Sequence, residues 1–145
     1  MLHTITLLFL LCLPALAQDG VISNAFFSMP AWGTQPTPDM VLVGPLENNA
    51  DIMYYRDTDS HWLIPAKLKY VVYVYNQDKF TSVVFALKDG QEPYKFYLDL
   101  LTHFHGAATP ENGSMHWRNS GGSIPHIELQ AYSEDKGNSF IYYAK

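Results

Sequence analysis

Two short segments carry side chains that could do chemistry together. His116 and Arg118 alternate with Met115 and Trp117, and His126, Glu128 and Gln130 alternate with Ile127, Leu129 and Ala131. On extended backbone successive side chains point to opposite faces, so each polar set shares one face of its strand. Paired as an antiparallel hairpin, the two strands would place all five polar side chains on one open sheet face. Two imidazoles and a carboxylate form a donor set for a divalent transition metal, which makes His116, His126 and Glu128 candidate metal ligands. The competing reading is an ordinary solvated face, which antiparallel sheets commonly have. A second candidate surface lies earlier in the chain. Tyr73 and Tyr75 share one face of their strand, opposite Tyr70, Val72 and Val74. Tyrosine is a frequent anchor in recognition surfaces. Tyr73, Tyr75, Arg118 and Gln130 are therefore candidate ligand-binding residues, with burial of the tyrosines as the alternative.

Other motifs carry less. His103-Phe104-His105 places two imidazoles at i and i+2, about 200° apart around a helix, so they cannot share an ion there. Histidine at a helix C-terminus is electrostatically favourable and explains them. Gly121-Gly122-Ser123 lacks the second flanking glycine and the strand-to-helix turn of a nucleophile elbow. No glycine-rich phosphate loop is present. No catalytic residue is assigned, and no cofactor is expected. Asn112-Gly113-Ser114 reads as an N-glycosylation sequon or as a turn.

The elements that must position these groups follow from periodicity. Lys67–Tyr75 and Phe80–Leu87 alternate and are rich in Val, Tyr and Phe, with Asn76–Lys79 as a hairpin turn between them. Ile52–Arg56, Ser114–Arg118, Ile124–Tyr132 and Ser139–Tyr143 read as further strands. Glu92–His105 reads as a helix, with Pro93 at its first turn and Gly106 just past its end. Tyr97, Leu100, Leu101 and Phe104 share its apolar face, with Phe96 beside them. Thr37-Pro38-Asp39 suggests a short helix start, ended by Gly44-Pro45. The expected fold is α+β: an antiparallel sheet of about six strands, one main helix at 92–105, a short first helix, and an order that echoes as two αβββ halves.

Composition bounds the setting. Met1–Ala17 is an apolar run ending in Pro14 and Ala15-x-Ala17, the pattern of a cleaved secretory leader. The apolar run is too short for a transmembrane helix, which needs about 20 residues. Residues 18–145 are then a single domain, secreted or periplasmic. Cys12 is the one cysteine and lies in the leader, so disulfides and thiolate chemistry are excluded from the remainder. A net charge of −5 argues against nucleic-acid partners. Phe26, Phe27 and Trp32 predict that the segment leading into the domain packs against it.

Several of these features together resemble a group of small exported bacterial α+β proteins known mostly as domains of unknown function. The residues concerned are Phe27…Trp32-Gly33-Thr34, Tyr54-Tyr55-Arg56, the Tyr70–Leu87 hairpin, and Phe104-His105-Gly106…Pro110 before Trp117. The resemblance implies a fold and an envelope or extracellular setting, and no activity. The expectation for function is an exported, non-catalytic binding module for a protein or small ligand. The alternative is a metal-binding protein or small hydrolase using the late-strand His/Glu/Arg cluster.

Overall fold

The computed structural model describes residues 29–48, 50–59, 62–63, 66–88, 91–118, 126–133 and 138–145. The leader, Phe26 and Phe27 lie outside them. Among the described residues, nine strands and one helix follow the chain: β1 (Val41–Pro45), β2 (Asp51–Tyr55), β3 (Trp62–Leu63), β4 (Ala66–Asn76), β5 (Lys79–Lys88), α1 (Gln91–His105), β6 (Thr109–Glu111), β7 (Ser114–Arg118), β8 (His126–Ser133) and β9 (Asn138–Ala144). Eight of them form one antiparallel sheet in the order β1-β2-β4-β5-β9-β8-β7-β6, and β3 pairs with the start of β4. The sheet is thus two meanders joined along β5 and β9, each entering the joint by its last strand.

This corrects the expected α+β fold of six strands in two αβββ halves. All six expected strands form, but β1, β3 and β6 join them, and the first half has no helix among its described residues. Thr37-Pro38-Asp39 makes one isolated turn, closed by the Met40 N–H donating to the Thr37 carbonyl at 3.0 Å. Val41–Pro45 then runs extended and pairs with β2, with Val43 at a bulge between the paired Leu42 and Gly44. β-Branched residues favour a pleated strand over a helix, and here β2 offers a partner. The short strand β6 follows from a turn. Asn112 and Gly113 have φ of 50° and 82°, the left-handed values of a tight hairpin, and they fold Thr109–Glu111 back onto β7.

α1 ends as its sequence predicts. Gly106 has φ of 81°, and its N–H donates to the Thr102 carbonyl at 2.9 Å. The Trp117 indole N–H donates to the Gly106 carbonyl at 3.0 Å and ties the helix end to β7. Tyr97 and Leu101 are fully buried, while Tyr94, Phe96, Leu98, Leu100 and Phe104 are partly buried around them. They meet Phe85, Leu87, Trp117, Ile127, Leu129, Ile141 and Tyr143 in one core on one face of the sheet. The lead-in covers the other end of that same face. Trp32 stacks on Phe80 at 4.7 Å and 8°, and Gly33 and Thr34 exchange backbone hydrogen bonds with Phe80. The expectation that Trp32 packs is therefore met. No helix among the described residues is long and apolar enough to cross a membrane.

Candidate functional site

With α1 and the lead-in on one face, no described helix lies on the opposite face, where Tyr70 is exposed, Val72, Val84 and Tyr142 are half-buried, and the smaller Ala86, Ser82 and Val74 are buried between them. Its residues follow directly from register. One ladder crosses six strands as Thr109, His116, Glu128, Tyr142, Val84 and Val72. A parallel ladder carries Arg118, His126, Ala144, Ser82, Val74 and Met53. A third carries Ser114, Gln130, Phe140, Ala86 and Tyr70. The face therefore changes character along its width, from charged and imidazole side chains on β7 and β8 to apolar ones on β2, β4 and β5.

At the polar end, the structure brings together the three candidate metal ligands. Nδ1 of His116 lies 3.1 Å from Nε2 of His126, and the two rings stack at 5.4 Å and 14°. One donor atom from each of His116, His126 and Glu128 lies within 4.8 Å of the others. His116 is buried and His126 half-buried. Burial, then the neighbouring His116 and Arg118 charges, hold the His126 pKa below the ordinary imidazole range. Gln130 donates from Nε2 to Glu128 Oε1 at 3.0 Å, leaving Oε2 outside that bond. Arg118 sits beside His126 in register and pairs with Glu111 at 2.6 Å, both side chains about half exposed at 49% and 47%. That bond holds the Glu111 pKa below the ordinary carboxylate range. Among the described residues, no other set of three His, Cys, Asp or Glu side chains is placed to hold an ion.

The apolar end is a chain of connected grooves. One of about 370 Å³ is walled by Glu128, Gln130, Phe140, Tyr142 and Val84. It shares Val84 and Tyr142 with a groove of about 400 Å³ that continues over Val72, Val74 and Met53. That groove shares Met53, Tyr70 and Val72 with a third, of about 610 Å³, which reaches Val43 and Tyr55 on β1 and β2 and is walled at that end by the charged side chains of Arg56, Asp57, Asp59 and Lys69. Each falls in the range of small-molecule sites, roughly 300–1,000 Å³.

Tyr73 and Tyr75 do not belong to this surface. They are 0% and 1% exposed, on the covered face. The Tyr75 hydroxyl donates to Met40 Sδ at 3.1 Å, and its ring packs beside Phe80. The Tyr73 hydroxyl accepts from Arg56 Nη2 at 2.6 Å and donates to Asp59 Oδ2 at 2.7 Å. The expected division of β4 into two faces is correct, but the side left open is that of Tyr70, Val72 and Val74. The lead-in covers the tyrosine side because Trp32 and Met40 lie there. Two contributors escaped sequence reading. Glu111 depends on β6, for which Asn112-Gly113 was the available signal. Tyr142 follows from the alternation of β9, which sets it opposite the buried Tyr143. His103 and His105 end α1 and stand outside the cluster.

Comparison with protein-family models, with curated proteins and with solved structures finds no match to this chain.

Proposed function

We propose that this chain is an exported, non-catalytic binding module whose open sheet face holds an apolar or amphipathic small molecule. The observation that carries the reading is the continuity of the grooves from Tyr55 to Glu128 across β2, β4, β5, β9 and β8. The floor is apolar at Val72, Val84 and Phe140 and has polar groups at both ends, Arg56 and Lys69 at one and Glu128 and Gln130 at the other, a make-up in which burial supplies affinity and the polar groups supply orientation. Val84 lies at the centre of this floor, half-buried, between Val72 and Tyr142 in register. Export rests on the apolar leader at residues 1–17.

Nile red fluorescence tests the binding face. The wild-type protein is expected to bind the dye with a blue shift. Val84→Glu, which sets an unpaired carboxylate into the floor, should weaken binding at least ten-fold while the near-ultraviolet circular dichroism is kept. Equal binding by Val84→Glu, or none by the folded wild type, would contradict the proposal.

A further inference from the structure

We infer that His116, His126 and Glu128 form a binding site for a divalent first-row transition metal ion, of zinc type, on the open face of β7 and β8. The sequence makes the site possible through alternation. His126 and Glu128 are two residues apart on one strand and so point the same way, and His116 lies directly opposite Glu128 on the neighbouring strand. Three donors on two paired strands are held by backbone hydrogen bonds on both sides, which limits how far they can splay.

The distances suit coordination. With metal–nitrogen bonds of about 2.0–2.1 Å, two imidazole nitrogens on one ion stand about 3.3 Å apart in a tetrahedral site and about 2.9 Å apart in an octahedral one. The observed separation of 3.1 Å falls between the two. A carboxylate oxygen of Glu128 lies within 4.8 Å of a ring nitrogen of each histidine, so rotation of its side chain is the movement that coordination requires. Gln130, bonded to Oε1, is placed to fix the orientation of that carboxylate. The charges nearby also favour a dication. Glu128 supplies a carboxylate to the site, and Glu111 offsets the charge of Arg118, which stands beside His126.

The donor types select the ion. Two imidazoles disfavour calcium and magnesium, which take oxygen ligands, and suit zinc, copper, nickel or cobalt. Three protein ligands on an open face leave at least one position for water or an outside ligand. The same geometry could instead hold an N–H···N hydrogen bond between two neutral imidazoles, and the experiment separates these cases.

Zinc chloride is titrated calorimetrically into the protein of residues 18–145, and cobalt(II) absorption is recorded in parallel. Expected are one ion per chain, a rise in melting temperature with zinc, and a cobalt spectrum in the visible range. His126→Ala and Glu128→Gln should each weaken zinc binding at least ten-fold and remove the thermal shift. His103→Ala, on α1, should leave both unchanged. His126→Ala is the primary variant because His126 is only half-buried, and Glu128→Gln preserves shape if the alanine variant is unstable. No zinc binding by the wild type, or equal binding by the wild type and both site variants, would overturn the inference. Because Val84→Glu leaves all three ligands in place, its zinc binding is expected to survive. Failure of the groove and failure of the metal site are therefore separable.

Discussion

Two arginine–carboxylate pairs in this protein share chemistry and differ in surroundings. Arg56 and Asp59 lie 3.0 Å apart, only 10% and 11% exposed, and both hydrogen-bond the buried Tyr73 hydroxyl. Arg118 and Glu111 lie 2.6 Å apart and are about half exposed. The first pair pins the loop after β2 to the covered face. The second stands on the open face beside two histidines. The contrast extends to the whole sheet: the side carrying Tyr73, Tyr75, Phe85 and Leu129 is closed by the helix and lead-in and holds the fold together. The side carrying Tyr70, Val72, Tyr142 and His126 has no described helix over it and is the side proposed to bind.

Substitutions on the two faces should therefore differ sharply in cost. Leu101→Ala on α1 removes a fully buried side chain and is expected to lower unfolding free energy by about 2–5 kcal/mol in urea titration. Val84→Ala on the open face should cost less than about 1.5 kcal/mol, because the site is already half solvated. Equal losses would break the distinction between the faces. Asp59→Asn should cost about 1.5–3 kcal/mol, the range for a hydrogen-bonded charged group, measured the same way.

The covered face also predicts an alkaline limit. Burial pushes the Tyr75 phenol from its ordinary 10.0 up to about 12, and burial raises Tyr97 and Tyr143 as well. A folded pKa above the unfolded one favours folding fully below pH 10, and that contribution is lost as pH rises through the folded value. Stability should thus decline between about pH 10 and 12, in step with late tyrosinate absorbance. Tyr75→Phe should flatten the decline. The smallest effect belongs to Glu111→Gln, expected to shift the urea midpoint least of these variants and to do so less at high salt.

Much of the open site was legible in sequence, and the reasons are physical. Strand periodicity is two, so the grouping of His116, Arg118, His126, Glu128 and Gln130 needed only the correct pairing of two neighbouring strands. The main helix was legible because its ends are marked, by Pro93 and by Gly106, and its apolar face repeats at the helical period. What could not be read locally was which side of β4 would be covered. Tyr73 and Tyr75 look as suited to recognition as Tyr70, and only the distant Trp32 and Met40 decide between them. Thr37-Pro38-Asp39 carries helix-start chemistry, but the following Val41-Leu42-Val43 found a partner strand, and tertiary pairing outweighed the local signal.

The division of the sheet into a closed and an open face is tested most directly by nitration of the folded protein with tetranitromethane, read residue by residue by mass spectrometry. Tyr70 and Tyr142 are expected to react first, with Tyr73, Tyr75, Tyr97 and Tyr143 protected until the protein unfolds. Modification of Tyr73 or Tyr75 as fast as Tyr70, with Tyr142 left unmodified, would contradict it.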